Sequence, residues 1–323
     1  MSSKTKFIGI DISKDYFDVA IENEKGGYSW HRFSNDAKGF AKMKKLLSSV
    51  SWCVMEASGP YYLRLATFLQ TQSVKVSVVN PLVIRRFCQM KLMRAKTDKK
   101  DAIMIAEYGR INQPEEWMGE EPYVLELKQL QAYLDQLNKQ RTSFVRQQQA
   151  FSQSTVRNKK VHLGIKKQIR RLENEISGVE SEMLQIIQQY HGEMFKHLQT
   201  IPGLGKKTSL MLIVLTGAFT KFDNHKQLSS YFGLSPRIFE SGKSIKGRAR
   251  ICKMGMSKIR GMLYMCACTA KSCNKACKDL YDRLVAKGKS GKLALIAVAN
   301  KIIKQAFAIA KNQTVYNEHY SII

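Results

Sequence analysis

Residues 1 to about 122 alternate short apolar runs with apolar positions at helical spacing. Phe7–Ile12 predicts a first strand and Tyr16–Glu22 a second, with Val19 and Ile21 on one face. Gly26-Gly27 predicts a hairpin turn, after which Tyr28–Phe33 returns as a third strand. Phe40, Met43 and Leu47 give Ala37–Leu47 a helical period. Strand Trp52–Met55, helix Tyr61–Gln70 and strand Lys75–Val79 follow, the last closed by Asn80-Pro81. A helical region holding Asp98, Asp101, Ile105 and Tyr108 completes the segment. This order predicts a sheet sandwiched by helices, mixed rather than purely parallel because it opens on a three-strand meander.

Residues 123–198 change character, with no proline after Pro122 and much Gln, Lys and Glu. Leu127, Leu130, Leu134 and Leu137 step by three and four, and Phe144 and Phe151 continue the Leu130/Leu137 phase. Ile165, Ile169, Leu172, Ile176, Val179, Met183, Ile186 and Tyr190 repeat the step. That is a heptad seam and predicts a coiled coil, broken around Asn158–Gly164 into two helices folded as a hairpin. The seam suits an internal hairpin or an oligomerisation arm equally. Residues 199–323 predict a third, mostly helical segment ending in the basic amphipathic run Lys292–Lys311. The fold class expected is therefore α/β plus α, in segments 1–122, 123–198 and 199–323.

Charge narrows the partners. Lys and Arg number 53 against 26 Asp and Glu, a net charge of +27 and a pI near 9.8, which favours nucleic acid. The seven cysteines form no CxxC pair and match no common zinc spacing, so they predict reduced structural thiols. The N-terminus runs straight into a strand, which predicts no signal peptide, and no uninterrupted apolar run approaches the ~20 residues of a membrane span.

Against this basic background four acids stand out: Asp11, Glu56, Asp98 and Asp101. Asp11 ends the run Phe7–Ile10 and Glu56 ends Trp52–Met55, where a carboxylate is costly unless paired or coordinated. Asp98 and Asp101, three apart behind the candidate cap Thr97, share one helix face. By themselves they suit a helix dipole. Gathered with the strand-end acids they would repel unless cations lay between them, and an all-oxygen site takes Mg²⁺ or Mn²⁺. Such metals clamp phosphate in displacement reactions.

Two basic features accompany them. Ile201-Pro202-Gly203-Leu204-Gly205-Lys206-Lys207 predicts a turn into a helix start, which suits equally an ordinary helix–turn–helix corner or a turn that meets phosphate through backbone N–H groups, with Gly203, Gly205, Lys206 and Lys207 as contacts. It is not a P-loop, lacking the required glycine spacing. The stretch from Phe232 to Lys253 sets small residues among Arg237, Lys243, Lys246, Arg248, Arg250 and Lys253, and predicts a loop that approaches a phosphodiester. Ser241 in that loop is, from composition, a phosphate contact; serine needs activation to be a nucleophile and no histidine lies nearby in sequence.

Taken in order, Gly9-Ile10-Asp11-Ile12-Ser13-Lys14, Glu56-Ala57-Ser58-Gly59, Lys96–Ala102, Ile201–Gly205, Gly233-Leu234-Ser235-Pro236 and Glu240-Ser241-Gly242 resemble the insertion-sequence transposases with a DEDD catalytic domain. These are also called bridge-RNA-guided recombinases, and the pilin-gene invertases are their kin. The resemblance spans nearly the whole chain. It implies a ribonuclease-H-like (Holliday-resolvase-like) first domain in which Asp11, Glu56, Asp98 and Asp101 hold Mg²⁺ or Mn²⁺, a coiled-coil segment, and a helical transposase domain carrying a serine nucleophile, Ser241. It implies a covalent 5′-phosphoserine intermediate, a site completed across a dimer or tetramer, and partners comprising element-end and target DNA and a structured non-coding guide RNA. The expected location is the bacterial cytoplasm, on the nucleoid, with no membrane. A metal-dependent, junction-selective endonuclease using water is the alternative enzyme. A non-catalytic nucleic-acid-binding scaffold is the alternative from another class.

Overall fold

The structure is a computed structural model that describes residues 5–23, 26–93, 97–237, 240–241, 245–246, 250–252 and 255–318. It is a mixed α/β protein, mostly helical, with a five-stranded mixed sheet and eleven helices among the described residues. It divides into two compact units, Met1–Glu120 and Glu121–Ile323.

The first unit runs β1 (Lys6–Ile12), β2 (Tyr16–Glu22), β3 (Tyr28–Ser34), α1 (Ala37–Lys44), β4 (Ser51–Glu56), α2 (Tyr62–Thr71), β5 (Lys75–Val79), α3 (Pro81–Met90) and α4 (Asp98–Asn112). The sheet order is β3-β2-β1-β4-β5. The β1, β2 and β3 meander is antiparallel, and β4 and β5 extend β1 in parallel. Alternation along β1 divides its side chains between two cores. Ile8 and Ile10 join Phe17, Phe40, Met43, Leu65 and Leu69 beneath α1 and α2. On the other face Phe7 packs with Val54, Ile84 and Ile105, while Ala20 meets Ala102 and Ala106 of α4.

That second face is built for close approach. A Cβ on Gly9 would stand 2.0 Å from the Ala102 carbonyl oxygen and 2.2 Å from the Ala106 nitrogen. Glycine in β1 thus lets the α4 backbone lie directly on the strand, and Asp11, two residues on, shares that face. Thr97 starts α4 in extended conformation, its hydroxyl accepting from the Lys100 N–H at 3.3 Å.

The second unit opens with α5 (Pro122–Ser152) and α6 (Lys159–Gln199), packed as a hairpin. Leu127, Leu134 and Leu137 of α5 are buried with Ile165, Leu172, Val179 and Met183 of α6. Two expectations need correction. The break lies at residues 153–158, earlier than Asn158–Gly164, because the Asn158 side chain caps α6 by accepting from the Val161 N–H at 3.2 Å; Gly164 is helical. The heptad phase also drifts. After Met183 it is Ile187 that is fully buried, Tyr190 is half exposed, and on α5 Phe151 is exposed. A straight helix of 3.6 residues per turn moves a 3.5-residue seam sideways over this length. Tyr190 instead stacks on Tyr123 with ring centroids 4.1 Å apart, and Tyr123 shares a 2.9 Å hydrogen bond with His191, where α6 kinks.

Beyond the hairpin come α7 (Lys206–Thr216), α8 (His225–Tyr231), the two-residue strands β6 (Pro236–Arg237), β7 (Glu240–Ser241), β8 (Ile245–Lys246) and β9 (Arg250–Ile251), then α9 (Ser257–Cys273), α10 (Lys275–Ala286) and α11 (Gly291–Asn312). By length and composition α11 could cross a membrane, yet Ala294, Val298, Ala299, Ile302, Ile303 and Ala306 are buried in this unit's core.

Candidate active site

Four carboxylates lie near enough on the α4 side of the sheet for Asp11 to feel the charge of the other three. Asp11 leaves the end of β1, Glu56 ends the neighbouring parallel strand β4, and Asp98 and Asp101 occupy the first turn of α4. Burial, and then the charges of Asp101, Glu56, Asp98 and Asp18 in that order, raise the Asp11 carboxyl from its ordinary 3.8 to about 6. Glu56 is oriented by Ser58, whose hydroxyl donates to Oε1 at 3.0 Å.

Asp18 was not singled out in the sequence. It sits in β2 directly opposite Asp11, is 1% exposed, and is held by three donors. The Trp30 indole N–H reaches Oδ1 at 2.7 Å, and Arg32 reaches Oδ1 through Nε and Oδ2 through Nη2, each at 3.0 Å. Arg32 is the β3 residue opposite Asp18, and its Nη2 also donates to Asp98 Oδ2 at 2.7 Å. The guanidinium lies 4.1 Å from the centroid of the Tyr16 ring. The hydrogen bonds to Asp18 hold the Arg32 guanidinium above its ordinary range, so it is a fixed positive charge. The signal that could have found Asp18 was present: a carboxylate in the apolar run Phe17–Ile21 is costly unless paired, the argument already applied to Asp11 and Glu56.

Among the described residues no three His, Cys, Asp or Glu side chains converge as a finished metal site. The donor chemistry nonetheless fits a hard divalent cation: it is all oxygen, crowded with like charge, and Arg32 already stands at Asp98 as a cation in residence.

The serine and the basic residues belong to the second unit. Ser241 lies in β7, with Ser241 opposite Ile245 and Glu240 opposite Lys246 of β8; the expected loop is in part a short two-stranded ladder. Arg237 of β6 pairs with Arg250 of β9 in a second ladder. Backbone pairing within this glycine-punctuated stretch satisfies N–H and C=O groups that an open loop would leave to water. Lys243, Arg248 and Lys253 lie outside the described residues.

Gly205 precedes α7, and Lys206 and Lys207 form its first turn beside a cavity of about 650 Å³. Gly203 has a packing role: at φ 91° it lies against α9, where a Cβ would come within 2.6 Å of the Ala270 Cβ. A Cβ on Gly205 would meet nothing within 4 Å, so packing does not require glycine there. Lys207 pairs with Glu180 at 2.6 Å.

A cluster of acids at strand ends under a helix, in a strongly basic chain, suits a protein that acts on nucleic acid. Comparison with known proteins sharpens this. Residues 8–155 match the IS110-type DEDD transposase domain, described as a transposase, and residues 195–282 match the transposase IS116/IS110/IS902 family. The pilin gene-inverting protein of Moraxella lacunata is 31% identical over 334 residues, covering 98% of each chain. That of Moraxella bovis is 31% identical over 331 residues, again 98% of each. The transposase for insertion sequence element IS1111A of Coxiella burnetii is 24% identical over 341 residues, 96% of this chain and 91% of that one. The chain belongs to the IS110 family of transposases and site-specific recombinases, and is a DNA-binding recombinase by that membership.

Proposed function

We propose that this recombinase cuts and rejoins DNA through a covalent 5′-phosphoserine formed on Ser241, with Asp11, Glu56, Asp98 and Asp101 as the acidic half of the site. The observation that carries the reading is the raised Asp11 carboxyl, crowded by Asp101, Glu56 and Asp98 in a chain of net charge +27. Acids so placed repel one another and are stabilised by a cation between them. A sheet ordered β3-β2-β1-β4-β5 supports a ribonuclease-H-like reading of segment 1–122. The apolar seam between α5 and α6 supports a coiled-coil reading of 123–198, leaving 199–323 as the serine domain.

In the proposed reaction the Ser241 hydroxyl oxygen bonds to phosphorus and the P–O3′ bond breaks. The serine proton passes to a carboxylate of the acidic cluster, and the departing 3′-oxygen is protonated to a hydroxyl. Rejoining is the reverse: a 3′-hydroxyl attacks the phosphoserine and serine leaves, so the bond energy is conserved and no nucleotide cofactor is required. Mg²⁺ or Mn²⁺, when bound by Asp11, Glu56, Asp98 and Asp101, would supply charge stabilisation at the phosphate. The α7 start, with Gly205, Lys206 and Lys207, and the cations Arg237, Lys243, Lys246, Arg248, Arg250 and Lys253 hold backbone phosphates of DNA and of a structured guide RNA. Gly203 serves there by seating the turn on α9. The family resemblance, in which such a serine meets the acidic site of a partner subunit, is what supports a site completed between copies in a dimer or tetramer.

The test is a denaturing gel after incubation with element-end DNA, the RNA flanking the gene and Mg²⁺. Wild type is expected to give a protein–DNA adduct that both Ser241→Ala and Asp11→Asn abolish. Cleaved DNA with no adduct would instead favour a water-using endonuclease, and DNA binding with neither adduct nor cleavage, unchanged in Asp11→Asn, would leave only a binding scaffold.

A further inference from the structure

We propose that Arg32 is a positioning residue of the acidic site: it holds Asp98 when no metal is present and releases that carboxylate when a divalent cation enters. The inference rests on the metal reading given above.

The two contacts of the guanidinium are unequal. On one side Asp18 is 1% exposed, directly opposite Arg32 across β2 and β3, and takes both Nε and Nη2. Its remaining demand at Oδ1 is met by the Trp30 indole. Breaking this arm would strand a buried charge, which is strongly unfavourable. The guanidinium also lies over the Tyr16 ring. On the other side the Asp98 side chain is 46% exposed, so water can replace Arg32 there at little cost. The two hydrogens of Nη2 thus serve one carboxylate that cannot leave and one that can.

Neither residue needs the other for stability. Arg32 is already satisfied by Asp18, and Asp98 is already favoured at the first turn of α4. What the contact does is place a positive charge against an acidic cluster and aim Asp98 by a 2.7 Å bond. A divalent cation entering beside Asp11 must compete with Arg32 for Asp98 and is also repelled by the guanidinium. Arg32 therefore lowers metal affinity while keeping the ligands gathered.

The test is Mn²⁺ binding to the full-length protein without DNA, read by electron paramagnetic resonance of the free ion. Arg32→Gln is expected to bind Mn²⁺ on the order of tenfold more tightly than wild type, the scale of losing one nearby like charge. Arg32→Lys, which keeps the charge but lacks the planar fork that spans Asp18 and Asp98, falls between them. In an Asp98→Asn background the gain from Arg32→Gln shrinks markedly, a coupling that a purely structural arginine would not produce. If Arg32→Gln does not fold, as circular dichroism would show, the Arg32→Lys comparison with and without Asp98→Asn decides the matter. Unchanged or weaker binding in the Arg32 variants, with binding still lost in Asp11→Asn, overturns the proposal and leaves the metal reading intact. No saturable binding in wild type or any variant overturns both.

Discussion

Replacing Asp11 by Asn should stabilise the metal-free protein while removing its activity. The Asp11 carboxyl sits at about 6 in the folded chain against 3.8 ordinarily, so the folded state holds the proton more tightly than the unfolded state does. Above about 6 the ionised group opposes folding; as pH falls towards 3.8 that opposition fades, because the native carboxyl is protonated. At ~1.4 kcal/mol per tenfold change in proton affinity, the shift corresponds to about 3 kcal/mol at neutral pH. Solvent reaches the group, so a realised gain of about 1–2 kcal/mol is expected. For a unit of this size that is a rise in Tm of roughly 4–8 °C. The assay is thermal unfolding in EDTA near pH 7.5 and again near pH 4. The variant should melt higher at neutral pH and nearly with wild type in acid. Mg²⁺ should raise the wild-type Tm and leave the variant largely unmoved. An equal gain at both pH values, or none at pH 7.5, would refute the electrostatic reasoning.

Other consequences are local. Gly9→Ala puts a Cβ 2.0 Å from the Ala102 carbonyl oxygen, so α4 must lift from β1 and carry Asp98 and Asp101 away from Asp11. A loss of about 1–3 kcal/mol in denaturant unfolding, with weakened Mn²⁺ binding, is expected. Lys206→Gln should lower DNA affinity alike for all sequences and reduce the slope of log K against log salt by about one, measured by fluorescence anisotropy. Burial pushes the Cys53 and Cys277 thiols up to about 12, whereas Cys273 is exposed. Brief alkylation of the native protein near neutral pH followed by peptide mass spectrometry should therefore label Cys273 and spare the other two.

Much of the first unit was legible because its strands carry their own punctuation. The runs ending in Asp11 and Glu56, the Gly26-Gly27 turn and the Asn80-Pro81 stop fix the strands to within a residue or two. The four acids could be gathered from sequence because strand ends and a helix start are local signals. Arg32 could not, since its meaning depends on the cross-strand register that sets it against Asp18 and on the approach of α4 that brings Asp98. A glycine-rich turn before a helix suits a phosphate contact or a plain corner alike in sequence; the packing of Gly203 against Ala270 is a contact between elements far apart in the chain and is not legible there. The heptad count points to Ile186 and Tyr190 where Ile187 is the buried residue, for a related reason. A period of 3.5 fits a short window, whereas a 41-residue helix with a kink at His191 follows its own 3.6-residue turn.

The central claim is that Ser241 becomes joined to DNA, and the most direct measurement is of that bond. The covalent complex would be trapped, its DNA trimmed with nuclease, and the protein digested for peptide mass spectrometry. The account predicts a nucleotide attached through its 5′-phosphate to the peptide containing Ser241, absent when Asp11 is Asn. Recombined DNA with that peptide unmodified, or with the nucleotide on Ser235 or Ser244, would contradict it.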